Sequence, residues 1–266
     1  MDNSSIAILT TVANFDLYQK TAPLFPNNIQ RFVFDGTNGM HGIHSILYMM
    51  QKLKDKRIEW LIMVDEDVVF KNPNEVFSII EKMKEKQFTV CGVRDGGMIS
   101  HRKENPFVVN TFFSILNFKE IEAIWNKKEV LKNQYIDLNE FRDDLSDLPF
   151  QYYITSVYEP YYCFYFWLRR KGKQILFLDS KMDDDGISNY VYYNQKEILC
   201  HTWYARSFGT NEKHTKRIEL ILEKTIQSDI ETKESIVKTV FYKKKAFALD
   251  QKIKKYYKRI CIKLGR

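Results

Sequence analysis

The sequence predicts an α/β fold in which a mainly parallel sheet is flanked by helices. Strand-like apolar runs alternate with helical patterns from the N-terminus onward, and carboxylates follow directly on one of these runs. The predicted strands span residues 6–12, 31–34, 59–64 and 88–93. Apolar residues recur at helical spacing within 43–53 and 76–83, which indicates βαβ units. In sheets built from such units, ligands bind beyond the carboxyl ends of the strands.

The later part of the chain shows less regular patterns. A turn with two glycines at 95–97 leads to an apolar run at 107–116, an acidic segment at 137–147 and an aromatic run at 152–167. Two late strands are predicted at 173–178 and 197–203, and an amphipathic helix is predicted at Glu212–Ile226. No proline- or serine-rich linker divides the chain, so we expect one globular domain with additions.

Composition restricts the functional classes. The chain has 266 residues, of which 44% are hydrophobic, enough for a full core. Its four cysteines lie far apart, which argues against a disulfide framework or a structural zinc site and favours a reducing, cytoplasmic compartment. No uninterrupted apolar stretch is long enough to span a membrane.

The net charge of +7 is distributed unevenly. Residues 233–266 contain 12 lysines and arginines against two acids, whereas the rest of the chain is mildly acidic. A basic tail on an acidic body does not predict a nucleic-acid-binding protein. It predicts a body that carries out chemistry and a tail that binds a surface.

The most informative segment is an acidic triplet at the end of the third predicted strand. Asp65, Glu66 and Asp67 follow five apolar residues and precede three more, so they are held at the end of a buried strand. In extended chain, residues two apart point the same way, and Asp65 and Asp67 can bind one ion while Glu66 faces elsewhere. Carboxylates suit Mg²⁺ or Mn²⁺, which usually also bind substrate phosphates. The alternative is an acidic cap on the next helix, although Asn72 and Asn74 are better placed for capping.

This Asp-x-Asp motif, inside an N-terminal βαβ series, resembles the metal and nucleotide-sugar motif of GT-A fold glycosyltransferases. The likeness is greatest to bacterial enzymes that build lipopolysaccharide, capsule or other surface glycans. Further segments fit the resemblance in the same order along residues 6–220: Phe34-Asp35-Gly36, Val109-Asn110-Thr111-Phe112-Phe113, Glu159 before an aromatic helix that ends at Leu168-Arg169-Arg170-Lys171-Gly172, and His201-Thr202-Trp203-Tyr204-Ala205-Arg206.

The resemblance implies a binding site for a nucleotide-sugar donor, most often a UDP- or GDP-sugar. Thr10 and Thr11 at the end of the first strand, and Asp35 after the second, would border the base and ribose. Asp65 and Asp67 would bind Mn²⁺ or Mg²⁺ on the donor diphosphate.

The resemblance also implies roles for residues further along the chain. His201 would approach the same metal or diphosphate, and Glu159 would correspond to the general base near the acceptor in inverting members. Residues 1–232 would form the glycosyltransferase domain, with a nucleotide-sugar half at about 1–115 and an acceptor half at about 116–232.

Asp95 is a further candidate, chosen from the residues alone. It follows the fourth strand, and Gly96 and Gly97 permit close backbone approach, so Asp95 could border the donor sugar. A tight loop with an internal pair between Arg94 and Asp95 explains the same residues.

Each site residue also has a purely structural explanation. Glu159 before Pro160 could be an ordinary acid at a helix N-terminus, and the loop acids at 183–185 compete for the role of base. His201 could be a core histidine with its hydrogen bonds satisfied, and Asp35 could be only a turn acid before glycine.

The glycines after the second strand argue against two other enzyme classes. Gly36, Gly39 and Gly42 do not have the Gly-x-Gly-x-x-Gly spacing, and no Gly-Lys-Ser/Thr segment occurs. A dinucleotide oxidoreductase or a P-loop ATPase is therefore not expected.

The basic tail, residues 233–266, predicts an amphipathic helix. From Lys238 onward, aromatic and aliphatic residues alternate with lysines in a long helical pattern. Such a helix suits an anionic membrane surface, where lipid-linked acceptors would lie, and thus a peripheral location on the inner face of the cytoplasmic membrane. A helix packed on the body and a homodimerisation helix remain alternatives.

These observations predict a metal-dependent glycosyltransferase that moves a hexosyl group from a nucleotide diphosphate sugar to a hydroxyl of a glycan or lipid-linked glycan. A metal-dependent nucleotidyltransferase or phosphohydrolase would use the same aspartates, but it would need further carboxylates or a lysine over the phosphates. A non-enzymatic basic module that binds membrane surfaces is the third possibility.

Overall fold

The computed structural model describes residues 3–227 and 238–263. The strands are β1 (Ile6–Val12), β2 (Gln30–Asp35), β3 (Trp60–Val64), β4 (Val68–Phe70), β5 (Phe88–Arg94), β6 (Gly96–Ile99), β7 (Arg102–Lys103), β8 (Val109–Asn117), β9 (Gln174–Phe177), β10 (Asp179–Met182), β11 (Asn189–Tyr193), β12 (Lys196–His201) and β13 (Thr239–Tyr242). The α-helices are α1 (Phe15–Thr21), α2 (Ile43–Leu53), α3 (Glu75–Lys86), α4 (Phe118–Ile124), α5 (Lys127–Leu131), α6 (Tyr162–Arg170), α7 (Glu212–Ile226) and α8 (Phe247–Lys263). Short 3₁₀ turns cover Asn3–Ser5, Ala22–Leu24 and Ala205–Ser207.

The central sheet has seven strands in the order β13-β2-β1-β3-β8-β5-β9. All neighbouring pairs are parallel except the two made by β8, which runs antiparallel to both β3 and β5. The predicted α/β fold with a mainly parallel sheet is therefore confirmed. Because β8 runs against its neighbours, its N-terminus lies at the same edge as the carboxyl ends of β1 and β3.

A second, antiparallel sheet of four strands has the order β10-β11-β12-β4. β4 follows β3 after a three-residue turn, and its partner β12 places His201 opposite Val68. This pairing brings the late part of the chain against the end of β3. A small hairpin of β6 and β7 completes the strands in the described part of the chain.

Two apolar cores cover the two faces of the central sheet. Successive residues of β3 alternate between them: Trp60 and Ile62 belong to one core and Leu61 and Met63 to the other. The first core contains the buried residues of α1, α3 and α7, and the second those of α2, α4, α5 and α6. The near-continuous apolar run of β3 follows from burial on both faces.

A long segment between α5 and α6, residues 132–161, contains neither helix nor strand. It is fixed by ion pairs to α6: Asp143 accepts hydrogen bonds from Arg169, and Glu140 accepts them from Arg170 at 2.6 and 2.7 Å. The predicted acidic segment at 137–147 thus supplies structural partners for the basic end of α6.

The C-terminal region differs in part from its prediction. Residues 239–242 form β13, which pairs in parallel with β2, so the helical pattern predicted from Lys238 is wrong for this stretch. A helix does follow, α8, with the basic and amphipathic sequence predicted for the tail. The first residues of the tail lie outside the described residues, and its treatment as a separate domain stays a prediction. None of the described helices is long and apolar enough to cross a bilayer.

Candidate functional site

A cleft of about 530 Å³ opens at the carboxyl edge of β1 and β3. This is the edge at which parallel sheets bind ligands. Residues from both the early and the late parts of the chain line it, among them Thr11, His41, Ser45, Asp65, Glu66, Asp67, Arg102, Asn110, Glu159, Tyr161, His201, Trp203, Tyr204 and Arg206.

The acidic triplet forms a turn between β3 and β4, not a continuous strand. The Val68 N–H donates to the Asp65 carbonyl at 3.3 Å, and the Asp65 N–H donates to the Phe112 carbonyl at 2.8 Å. Asp65 and Asp67 both line the cleft. The pairing of the chain on either side, through β3 with β8 and β4 with β12, fixes this turn from both ends.

Glu66 has a structural role in this turn. Its carboxylate accepts hydrogen bonds from the backbone N–H groups of Ala13 at 2.8 Å and Asn14 at 3.0 Å. These contacts attach the acidic turn to the end of β1. Glu66 nevertheless lines the cleft together with Asp65 and Asp67, so the expectation that it faces elsewhere stays a prediction.

His201 approaches the triplet from β12, where the sequence places it as a candidate ligand. Its Nε2 lies 3.3 Å from Oδ1 of Asp67, and its Nδ1 is buried without a hydrogen-bond partner. Its ring is stacked on that of Phe112, at 4.1 Å between centroids, and is tilted by 39° against that of Trp203, at 4.2 Å. The two aromatic rings hold the imidazole in one orientation, with its nitrogen directed at the carboxylate.

The donor atoms at this turn fit a divalent ion. Two ligands bound to one octahedral ion at about 2.1 Å are about 3 Å apart, close to the separation of Asp67 and His201. Within residues 3–227 and 238–263, no group of three or more histidine, cysteine or acidic side chains forms a ready metal site. An ion here would therefore take its remaining ligands from water or a bound phosphate.

The carboxylates of the turn repel one another. Burial, followed by the charges of Asp67 and Glu66, raises the pKa of Asp65 well above its ordinary value, and Arg206 opposes this shift. Burial and Asp67 raise the pKa of Glu66 to about 7. The charged forms of these carboxyls are thus disfavoured, and a bound cation would relieve their repulsion.

The loop after His201 is bound tightly to the acidic turn. The Asp67 carbonyl accepts hydrogen bonds from the Thr202 N–H and hydroxyl, both at 2.9 Å, and Asp67 Oδ2 accepts one from the Ala205 N–H at 3.3 Å. Trp203 and Tyr204 have φ values of 58° and 63°, in the left-handed region that bulky residues rarely adopt. Such backbone strain is concentrated at functional sites.

Glu159, the candidate general base, also lines the cleft and forms an ion pair with Arg102. Arg102, on β7, lies 3.3 Å from Oε1 of Glu159. Arg102 is in turn held by Asp95, with Nε at 2.8 Å from Oδ1 and Nη2 at 2.6 Å from Oδ2. The result is a chain of contacts from the sheet, through Arg102, to Glu159.

Asp95 lies behind the cleft. Its side chain is 0% exposed, and besides Arg102 it accepts hydrogen bonds from Asn110 at 2.5 Å, Tyr161 at 3.1 Å and Tyr162. Its contact with a donor sugar stays a prediction. The pairing of Arg94 with Asp95, considered above, does not occur, because Arg94 donates to Asp143 and to the Pro106 carbonyl.

Gly96 and Gly97 allow close approach, as predicted, but of other parts of the chain. A Cβ on Gly96 would lie 1.9 Å from the Glu104 carbonyl oxygen. A Cβ on Gly97, at φ 83°, would lie 2.8 Å from the side chains of Leu148 and Tyr152. These glycines therefore permit the β6–β7 hairpin that places Arg102 in the cleft.

The residues predicted to border the nucleotide are only partly brought together. Thr11 lines the cleft and is hydrogen-bonded to Ser45, whereas Thr10 is buried with its hydroxyl unpaired. Asp35 does not line the cleft; its carboxylate binds the Thr37 N–H at 3.0 Å and the Lys243 ammonium at 2.6 Å. The contacts of Thr10 and Asp35 with a nucleotide stay predictions.

The competing acids are paired elsewhere. Asp185 accepts hydrogen bonds from Ile187 and Ser188 and lies 3.3 Å from Arg217, and no residue of the 183–185 run lines the cleft. Asn74 occupies the N-cap position of α3 without a side-chain capping bond. Neither aspartate of the triplet caps that helix in its place.

Three basic side chains of the cleft were not predicted as site residues: His41, Arg102 and Arg206. Burial, and then Arg206, lower the pKa of His41 below its ordinary value. Arg206 belongs to the segment quoted above for His201, so its position in the sequence was a usable signal. Arg102 carried none, because its pairing depends on the hairpin.

The proteins similar to this chain come from solved structures. No family model matches the chain, and neither does any curated protein. Among solved structures, A197 from STIV is similar over 73% of this chain and 93% of its own, with 14% identity and a TM-score of 0.38.

Two glycosyltransferase structures are also similar. A glycosyltransferase involved in the glycosylation of the major capsid of PBCV-1 matches 45% of this chain and 64% of its own, with 16% identity and a TM-score of 0.31. The mannosyltransferase PcManGT from Pyrobaculum calidifontis, in complex with GDP-Man and Mn²⁺, matches 45% of this chain and 46% of its own, with 6% identity and a TM-score of 0.27. Likenesses this distant carry no argument about function, which rests on the geometry of the cleft.

Proposed function

We propose that this chain is a divalent-metal-dependent glycosyltransferase that moves a hexosyl group from a nucleotide diphosphate sugar to a hydroxyl of a glycan or lipid-linked glycan. The observation that carries the proposal is the meeting of Asp67 and His201, 3.3 Å apart, in a cleft at the carboxyl edge of the sheet. Asp65 lines the same cleft, so hard oxygen ligands and an imidazole face one space.

On the donor side, Asp65, Asp67 and His201 would hold Mn²⁺ or Mg²⁺. When bound, the ion would neutralise charge on the leaving diphosphate. Arg206 lines the same cleft and its charge acts on Asp65, so it would add a positive group near the diphosphate. Thr11, near the end of β1, and Ser45, on α2, would border the nucleoside.

On the acceptor side, Glu159 would act as the general base. The acceptor oxygen forms a bond to the anomeric carbon, the bond from that carbon to the diphosphate oxygen breaks, and the hydroxyl proton passes to Glu159. Arg102 contacts Oε1 of Glu159, and the described residues provide no hydrogen-bond partner for Oε2. Oε2 is therefore the oxygen free to receive the proton.

Nucleotide-sugar binding tests the donor side. The full chain would be melted with UDP-, GDP-, CMP- and dTDP-sugars, each with and without Mn²⁺. One nucleotide should raise the free energy of unfolding by roughly 2.7 kcal/mol at a hundredfold excess over its dissociation constant, and only with metal. Asp67→Ala should abolish this gain. Asp184→Ala, in the exposed acidic loop outside the cleft, should retain it.

The same panel separates the rival functions. Equal, negligible shifts for every nucleotide would contradict the proposal and favour a non-enzymatic module. Release of nucleoside diphosphate that depends on an added glycan acceptor supports transfer. Metal-dependent phosphate release at the same rate without acceptor would instead indicate a phosphohydrolase.

A further inference from the structure

Helix α8 exposes a continuous apolar stripe. Leu249, Ile253, Tyr256, Tyr257 and Ile260 are 60%, 57%, 69%, 68% and 37% exposed. Their spacing of four, three, one and three residues places them on one side of an α-helix. Five large apolar side chains on one helix face are more than the scattered exposed residues of an ordinary surface.

The helix is attached to the body by the opposite side. Phe247 is only 4% exposed and packs edge-on against His44, at 5.3 Å between ring centroids. At about 100° per residue, Phe247 and the stripe lie on opposite sides of α8. None of the described residues covers the stripe, which removes the support for a helix that packs its apolar face on the body.

The attachment continues into the sheet. β13 pairs with β2, the Asn38 side-chain amide donates to the Lys244 carbonyl at 3.0 Å, and Lys243 pairs with Asp35 at 2.6 Å. The stripe is thus presented outward by a helix that is fastened at its start.

The charge of α8 indicates what covers the stripe. The helix contains six lysines and arginines against one acid, Asp250. At about 100° per residue, Lys252 flanks the stripe, whereas Lys254 and Lys255 lie on the polar side of α8; all three are exposed. The one acid of the helix, Asp250, lies 3.7 Å from Lys244. A second copy of the helix would bring like charges together, whereas an anionic surface would neutralise them.

We propose that α8 binds the surface of an anionic phospholipid bilayer, with the apolar stripe in the headgroup region and the lysines of its flank and polar side attracted by the negative surface. No described residue of α8 lines the cleft, so this proposal does not depend on the glycosyltransferase proposal.

Vesicle sedimentation of the full chain tests this surface. We expect binding to vesicles of phosphatidylcholine with phosphatidylglycerol, little binding to phosphatidylcholine alone, and weaker binding as salt rises. The triple variant Lys252→Gln/Lys254→Gln/Lys255→Gln should lower the partition coefficient at least about fivefold, since a lysine near an anionic surface contributes about a fivefold factor and Lys252 lies nearest the stripe. Leu249→Ser/Ile253→Ser/Tyr257→Ser should lower it at least about tenfold.

Matched controls come from α7. Leu220→Ser/Ile226→Ser replaces apolar residues of similar exposure, 56% and 54%, and Lys213→Gln/Lys216→Gln/Lys224→Gln removes three exposed lysines. Both control variants should bind vesicles as the parent chain does. Circular dichroism and thermal melting would establish that every variant is folded.

Two results would overturn the proposal. The first is equal binding of the parent chain and the stripe variant to anionic vesicles. The second is a lipid-free dimer, measured by light scattering, that is lost in Leu249→Ser/Ile253→Ser/Tyr257→Ser; this would assign the stripe to a second copy of the chain.

Discussion

The imidazole of His201 and the carboxylate of Asp67 meet at 3.3 Å, although they lie far apart along the chain. The pairing of β12 with β4 produces this contact, and Phe112 and Trp203 keep the imidazole in place. An imidazole held by two aromatic rings and directed at a carboxylate is a rigid arrangement for presenting a nitrogen to a ligand.

His201→Phe separates the two explanations of this histidine. Phenylalanine can keep the ring contacts with Phe112 and Trp203 but cannot bind a metal. We expect nucleotide-sugar affinity in Mn²⁺ to fall at least about tenfold, with little change in thermal stability. Isothermal titration calorimetry would measure the affinity.

His214→Phe is the matched control, since His214 is also stacked on an aromatic ring, that of Tyr204, but does not line the cleft. It should bind as the parent chain does. Unchanged affinity in His201→Phe would show that His201 is a core residue and not a ligand.

The contact between Arg102 and Asp95 predicts a large cost for removing the arginine. Arg102→Met would leave a fully buried carboxylate without its cation, which costs about 3–5 kcal/mol of unfolding free energy. Asp95→Asn/Arg102→Met removes both charges and should cost less than Arg102→Met alone. Urea denaturation would measure both, and a cost below about 1 kcal/mol for Arg102→Met would contradict the proposed linkage.

The positive φ of Tyr204 predicts an unusual order of stabilities. Tyr204→Gly and Tyr204→Ala both lose the aromatic ring, but only glycine is unstrained at φ 63°. We expect the glycine variant to be more stable by about 1 kcal/mol. Ser207, which lacks a positive φ, provides the control, and there the order should reverse: Ser207→Ala should be more stable than Ser207→Gly.

Asp143 predicts a loss of stability in acid. Burial raises its pKa, but hydrogen bonds and charges from Arg169 and Arg94 outweigh this effect and hold the pKa below its ordinary value of 3.8. The stabilisation is therefore complete above pH 3.8 and is lost as pH falls through the lower, folded-state pKa.

Asp143→Asn tests this dependence. At pH 7 the variant should lose about 2–4 kcal/mol, because two partly buried guanidinium groups lose their carboxylate. Between pH 4 and pH 2 its stability should change less steeply than that of the parent chain. Parallel acid slopes in urea denaturation would assign the acid sensitivity to other carboxylates.

The sequence predicted the elements whose patterns are uninterrupted. β1 and α7 begin and end at the predicted residues, Ile6–Val12 and Glu212–Ile226, because apolar alternation and helical periodicity extend over their full lengths. The predicted 31–34 and 88–93 lie within β2 and β5, and 59–64 begins one residue before β3.

Strand order was not predictable in the same way. β8 inserts between β3 and β5, and the apolar run at 107–116 does not encode which strands it will join. The pairing of β13 with β2 likewise depends on contacts between residues about two hundred positions apart along the chain. Short apolar runs near lysines fit a helix as well as an edge strand, which explains the wrong assignment of 239–242.

Part of the candidate site was accessible because carboxylates at a strand end are conspicuous. Asp65, Asp67, His201 and Glu159 were predicted, and all four line one cleft. Arg102 was missed, since its neighbours in space, Asp95 and Glu159, become neighbours only through the β6–β7 hairpin. The sequence predicted that the chain at Gly96 and Gly97 allows close approach, but it did not predict that Glu104, Leu148 and Tyr152 are the residues that approach.

β13 affects how readily the central sheet pairs with that of a neighbouring molecule. Its pairing with β2 makes the four-residue β13, in place of the six-residue β2, the edge of the central sheet, and a shorter edge strand offers fewer backbone N–H and C=O groups to a neighbouring molecule. A chain shortened to residue 232 would lose β13 as well as α8. Self-association and precipitation of such a fragment would then follow from its longer exposed edge strand, whatever the part that α8 plays at a lipid surface.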